Sequence, residues 1–301
     1  MDNFLQQVVN SISLGAIYAM FALGYALVFS VLGVLNLAHS ALFMWGAFFG
    51  LIVTDQFGWP LLLAFPVAIV GTGLLGIALE LVAFRPLRRR SAARIAQLIS
   101  SIGAALLLVN IAQLVFIEIY NRTDQRYPRD VIPRGNIVIE DLSLRITYVR
   151  LIIIIASLLL MIALQYMVTR TRIGQQMRAV AFNQRTASLL GINVTRIFLI
   201  TFFLAGALGG VAGVFYAMVV EVVNPFIGQE IALLGLTAIV LGGMGSIQGA
   251  LVGGFIVSAV QIFSTTIGGS SYRDAAVFLL LFILLLVRPQ GLFGQPESTR
   301  A

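Results

Sequence analysis

Residues 13–48 read SLGAIYAMFALGYALVFSVLGVLNLAHSALFMWGAF, with no Asp, Glu, Lys or Arg in the run. A membrane-crossing helix needs about 20 mostly apolar residues. The stretch therefore holds more than one passage, and Gly33–Ser40 (GVLNLAHS) interrupts it. The rest of the chain has the same character. Of its 301 residues 59% are hydrophobic and 10% charged, against about 25% charged in an ordinary soluble domain. So few charges cannot cover a water-soluble globule of this size. A soluble enzyme, a disordered chain and a disulfide scaffold are excluded, and the solvent for most of the chain is lipid.

Residue counts exclude further chemistry. With no Cys there is no thiol nucleophile and no thiolate metal site. One His, His39, leaves no multi-His zinc site. All 19 basic residues are Arg, so a phosphate-binding P-loop, which needs its Lys, is missing. Any ATP-driven work must come from a partner. The net charge of +7 sits in short loops between apolar runs, which points to membrane topology rather than to nucleic acid.

Apolar runs predict spans at about 8–31, 38–53, 60–84, 97–118, 148–168, 197–219, 231–246, 248–267 and 275–288. The expected fold is all-α: a single polytopic membrane domain over 1–301, with about eight or nine transmembrane helices, some short or discontinuous. The N-terminus lacks the basic region of a cleaved signal peptide and reads as the first span. Arg85, Arg88, Arg89, Arg90 and Arg94 cluster in one loop without an acid, and Arg170, Arg172, Arg178, Arg185 and Arg196 in another. Both read as cytoplasmic by the positive-inside rule. The 119–147 loop between them then lies outside by parity. Its five Arg are accompanied by Asp124, Asp130, Glu140 and Asp141. Nine spans place the N-terminus in the periplasm and the C-terminus in the cytoplasm, unless a short segment is re-entrant.

Two polar, Gly-containing breaks fall one in each half: Gly33–Ser40, and Gly242–Gly249 (GGMGSIQG). Broken backbone at membrane depth survives only when buried in protein or lining a cavity, and paired breaks are the pattern of transporters with an internal repeat. Asn36 and His39, three residues apart, either line a route for a polar solute or satisfy backbone groups in a helix contact. The second break either ends a half-helix whose N–H groups meet a carboxylate or lets helices pack closely through small residues. Gly253 and Gly254 read as packing positions. Pro86 is expected to stop the third helix, with the following Arg side chains snorkelling to the interface and Glu80 pairing with a nearby Arg. Segment 169–196 is basic and Gly-punctuated, with Ala179, Phe182, Leu189, Leu190 and Ile192 among polar residues. It predicts a short amphipathic helix ending near Gly191, either a membrane-surface segment or a docking surface.

Five blocks, in order and over nearly the whole chain, resemble the permease subunits of branched-chain amino acid ABC importers. They are residues 13–48, ALELVAFRPLRRR (78–90) with LISSIGAALLLVN (98–110), RIGQQMRAVAFNQRTASLLGINV (172–194), VNPFIGQEIALLGLTAIVLGGMGSIQGALVGG (223–254) and RPQGLFG (288–294). The third and fourth are the specific ones. The resemblance implies a bacterial inner-membrane protein that pairs with a second, similar permease subunit. Two cytoplasmic ATP-binding subunits, carrying the ATP and magnesium, and a periplasmic solute-binding protein complete the assembly. No cofactor is implied in this chain. Arg172, Arg178, Ala179, Asn183, Ala187 and Gly191 match the ATPase-coupling segment. Asn36, Ala38 and His39 match the first motif, and Gly242, Gly243, Gly245, Ser246 and Gly249 the Gly-rich one. Asn36, His39, Ser40, Gly243, Gly245 and Ser246 are then the expected lining of the translocation pathway. Ser40 stands where the family usually has Gly, and Gln248 where Pro is frequent. Members with similar motifs move neutral amino acids, urea or amides, so the solute stays open.

Two other classes remain. An autonomous secondary carrier usually places acids inside its spans, whereas Glu80, Glu118 and Glu221 lie near predicted span ends. An intramembrane serine hydrolase would depend on His39 and lacks the GxSxG elbow.

Overall fold

The computed structural model describes residues 2–90, 92–133, 135–140 and 144–294. Arg134 and Asp141, which entered the comparison of loop charges, lie outside them. The helices are α1 (Asp2–Leu32), α2 (His39–Leu51), α3 (Leu61–Leu79), α4 (Arg85–Arg89), α5 (Arg94–Tyr120), α6 (Tyr148–Arg170), α7 (Arg172–Phe182), α8 (Gln184–Leu189), α9 (Val194–Val220), α10 (Ile227–Gly242), α11 (Ile247–Gly268) and α12 (Arg273–Val287). Among the described residues, six helical runs are long and apolar enough to cross a membrane: Phe4–Leu32, Leu61–Arg89, Arg94–Tyr120, Tyr148–Arg170, Val194–Val220 and Ile247–Thr266. The three other apolar runs fold as shorter helices, α2 of 13 residues, α10 of 16 and α12 of 15. A helix of α10's length spans about 24 Å, less than the roughly 30 Å hydrocarbon core. The fold is all-α and polytopic, and part of its membrane layer is built from short helices.

The third helix does not stop at Pro86. A π-turn over Glu80–Phe84 joins α3 to α4, and the helical run reaches Arg89. Pro86 is the second residue of the renewed α-helical segment. A backbone N–H is not required there by the ladder, so the missing donor is tolerated. Glu80 consequently sits within the helical run rather than near its end. Its carboxylate is fully buried and takes two bonds from the Arg88 guanidinium, Nη2 to Oε1 at 2.5 Å and Nη1 to Oε2 at 3.1 Å. The same guanidinium lies 3.9 Å from the centre of the Phe198 ring on α9. A second π-turn, Ile52–Gln56, extends α2.

Two helices form the centre. Of the apolar windows of α1 and α9, 83% and 78% are buried, against 17% for α5. Small residues allow backbones to approach closely. A Cβ on Gly46 would strike Gly210, one on Gly76 the Phe202 carbonyl, and one on Gly254 the Ala19 backbone. These contacts seat α2 and α3 on α9, and α11 on α1. Gly253, against the Ala238 carbonyl, does the same for α10 and α11.

The connections sort to two ends. At one end lie the last turn of α1, the arginines around α4, the α7–α8 segment, the 243–246 break and the chain after α12. Hydrogen bonds from Leu292 and Phe293 to Leu241 and Gly242 tie that last segment to α10. At the opposite end lie the 121–147 and 221–226 loops. Their backbones pair as short antiparallel strands, β1 (Gln125–Arg126) with β4 (Val222–Val223), while β2 (Asn136–Ile139) pairs with β3 (Leu144–Thr147). An Arg129–Glu221 ion pair at 2.8 Å joins the same two loops. Tyr127 packs beneath them, and burial pushes its phenol up to about 12, so it remains a neutral plug.

Candidate functional site

A cavity of about 810 Å³ opens at the arginine-rich end. Ser30 and Gly33 at the end of α1, Gln165 and Thr169 of α6, Met177 and Arg178 of α7, and Gly245, Ser246 and Gln248 beside α11 all line it, with Arg94 at the start of α5. Three of the expected site residues therefore meet here: Arg178, Gly245 and Ser246. Local chemistry explains their positions. The Ser246 hydroxyl accepts the Gly249 N–H at 3.0 Å and caps α11, satisfying one of the donors left open at a helix start. Gly245 reaches this turn at φ 89°, a left-handed conformation that favours glycine.

The first motif sits elsewhere. Asn36 is buried in the link between α1 and α2 and turns that link on itself. Its Oδ1 accepts the Ala38 N–H at 3.2 Å and its own carbonyl accepts the His39 N–H at 3.1 Å. Ser40 donates to the Leu37 carbonyl at 3.0 Å. Asn36 and His39 do not share a helix face, because α2 begins only at His39. His39 is completely buried, with Nε2 3.1 Å from the Phe21 carbonyl and its ring stacked on Phe21 at 4.8 Å between centroids. Gly243 contacts the residues that follow α12, where a Cβ would meet the backbone of Gly294 at 2.5 Å.

The 169–196 segment is an elbow of two short helices rather than one. The Thr171 hydroxyl caps α7 by accepting the Gly174 N–H at 3.2 Å. Asn183 breaks the segment, leaving helical geometry and accepting the Thr186 N–H at 2.9 Å as the cap of α8. Gly191, at φ 83°, closes α8. The inward face carries Gly174, Met177, Val180 and Ala187. Gly174 lies against the Met167 and Val168 carbonyls, and Arg178 donates to the Val168 carbonyl. Both contacts clamp α7 to the last turn of α6. Arg172 and Asn183 are exposed and Ala179 is half-buried. Leu189 and Leu190 point away from the bundle, at 82% and 76% exposure, while Phe182 stands at the rim of the cavity. The apolar positions of this segment thus include an outward patch, not only a face for the bundle.

Gln165 and Thr169 join the cavity without having been singled out, because each is an isolated polar residue near the end of α6, and Arg94, read only as a topogenic charge, joins them. The sequence reading also missed a second polar cluster. Tyr18, Gln261, Arg273 and Asp274 come together from α1, α11 and α12 around a smaller cavity at the other end of the bundle. No group of three or more His, Cys, Asp or Glu side chains arranged for a metal ion occurs among the described residues.

Residues 7–287 match the model of the family described as branched-chain amino acid transport system / permease component. The high-affinity branched-chain amino acid transport system permease protein BraD of Pseudomonas aeruginosa is 35% identical, over 98% of this chain and 97% of its own. LivH of Escherichia coli, with the same description, is 36% identical over 98% and 96%. The probable branched-chain amino acid transport permease protein LivH of Methanocaldococcus jannaschii is 26% identical over 91% and 88%. These matches run through every helix that builds the two ends, and the chain belongs to the family of permease components of branched-chain amino acid transport systems.

Proposed function

We propose that the chain forms half of the membrane pathway of an ATP-driven importer in the bacterial inner membrane, and that the cargo is a branched-chain amino acid. A second permease subunit of the same family supplies the other half. Two cytoplasmic ATP-binding subunits hold ATP and magnesium, and a periplasmic binding protein delivers the solute. The arginine-rich end is the cytoplasmic one, in keeping with the positive-inside rule, and the 121–147 loop faces the periplasm.

The observation that carries this reading is the α7–α8 elbow. Its outer surface presents Leu189 and Leu190 among polar residues, a patch suited to a protein partner. Its inner surface is clamped to α6 through Gly174 and Arg178. Movement of a docked ATPase would pass along α7 to α6 and to the wall of the 810 Å³ cavity. Switching access by such rigid-body displacement requires a stiff connection, which the two N-caps and the clamp provide.

The test is leucine uptake by the purified complex in proteoliposomes, beside the subunit composition of a Leu189→Glu/Leu190→Glu double variant. The variant is expected to keep its permease partner, to lose the ATP-binding subunits and to stop ATP-dependent uptake. A variant complex with its full set of subunits and normal uptake would remove the elbow from the coupling path. A wild-type complex that hydrolyses ATP yet moves no leucine would reject the cargo.

A further inference from the structure

We infer that the smaller cavity at the opposite end is a transit site for a zwitterionic solute, with Arg273 holding the carboxylate and Asp274 and Glu230 the ammonium group. The inference rests on the importer reading and gives the solute a place within this chain.

The cavity encloses about 200 Å³ between α9, α10, α11 and α12. Drug-sized ligands occupy roughly 300–1,000 Å³, so this space suits one small molecule. It is built by a relay. The buried Tyr18 hydroxyl donates to Gln261 Oε1 at 2.7 Å, and Gln261 Nε2 donates to Asp274 Oδ1 at 3.0 Å. Tyr18 and Gln261 are at most 1% exposed, so the relay fixes Asp274 from behind. The other Asp274 oxygen has no hydrogen bond among the described residues. Arg273 makes one long contact, 3.4 Å to the Tyr18 hydroxyl, and no carboxylate lies within 4.0 Å of it among the described residues. Glu230 lines the same cavity, also without a hydrogen bond among those residues.

Charges of both signs thus share one small space without pairing. Arg273 is half-buried and Asp274 and Glu230 are exposed, so all three are open to a solute entering the cavity. A molecule carrying both charges completes the arrangement. Tyr18 stands near the middle of the long helix α1, and the two short helices α10 and α12 both begin at this cavity. Helix starts favour a carboxylate. Beside Tyr216, the rest of the wall comes from Ile231, Leu233, Leu234 and Phe278, an apolar part that suits an aliphatic side chain on the solute.

Because the chain contains no cysteine, a single introduced thiol, with the label read on this chain after it is separated from the other subunits, reports on the cavity. In the assembled complex, the thiol of a Phe278→Cys variant is to be modified with a maleimide in the presence and absence of leucine. Leucine is expected to slow the modification. Arg273→Gln in the same background is expected to weaken that protection by at least about tenfold, the scale of a lost hydrogen bond to a charged group, while Arg273→Lys preserves most of it. Leucinamide, which lacks the carboxylate, is expected not to protect. Unchanged labelling in a complex that imports leucine would overturn the site and leave the importer reading intact. Protection in a complex that imports no leucine would support the site and overturn that reading. Equal loss of protection in Arg273→Gln and Arg273→Lys, with dissociation of the subunits, would make Arg273 a subunit contact and overturn the inference.

Discussion

The His39 imidazole fills the space in front of Gly24, where a Cβ would overlap its Cε1 and Nε2 atoms. Phe21 stacks on one side of the ring, Tyr25 meets it edge-on at 4.9 Å, and Gly209 of α9 lies close by. A polar residue that reads as pathway lining is thus the point at which α1, α2 and α9 are locked together. Its hydrogen bond to the Phe21 carbonyl accounts for one ring nitrogen at the heart of an apolar core.

Gly24→Ala is therefore expected to lower stability by about 1–3 kcal/mol, the cost of overfilling a packed core, measured by thermal unfolding in mild detergent. Combining it with His39→Ala makes room for the added methyl. The double variant is expected to lose less than the sum of the single losses, with a coupling of about 0.5–3 kcal/mol. Strict additivity would show that ring and glycine do not meet as described.

Glu80 and Arg88 form a two-bond pair across the π-turn, and the guanidinium also covers Phe198. Glu80→Ala leaves the largely buried guanidinium without its acid and is expected to cost about 3–5 kcal/mol. Replacing both partners, as Glu80→Leu/Arg88→Met, removes the charges together and is expected to cost clearly less. Comparing the two melting curves decides the matter: if the double replacement is the worse, the pair supplies more than charge compensation.

The helices were legible because their signal is local. Each apolar run announces itself, and the acid-free arginine loops separate the two ends. A helix end in the Gly242–Gly249 break was legible too, as one of two readings, but the cap that Ser246 makes on Gly249 was not. The elbow at Asn183 was less so: composition suggests one amphipathic helix, and only the cap made by Asn183 on Thr186 divides it. Pro86 misled because a proline is tolerated at the start of a helical segment, and the π-turn that creates such a start has no pattern of its own. The charged cavity left no trace in sequence. Tyr18 and Gln261 are 243 residues apart, and Arg273 and Asp274 look like ordinary residues at the start of a helix. Only folding reveals that they converge.

The RPQGLFG stretch after α12 acts as a cap for another helix. α10 ends at Gly242 with its last carbonyls open, as every helix does, and Leu292 and Phe293 donate to the Leu241 and Gly242 carbonyls at 2.9 Å each. This register needs Gly291 at φ 80°, pressed against Gly243, where a Cβ would come within 2.6 Å of the Gly243 Cα. Gly269, at φ 86°, has open space around it and isolates the conformational cost alone, about 1–3 kcal/mol. Gly291→Ala is expected to pay that cost and also to push the capping strand off α10. It should therefore melt well below Gly269→Ala and speed amide exchange at Leu292 and Phe293. Equal melting points with unchanged exchange would mean that the segment rests on α10 without holding it, and the second break would then owe its shape to Ser246 and its glycines alone.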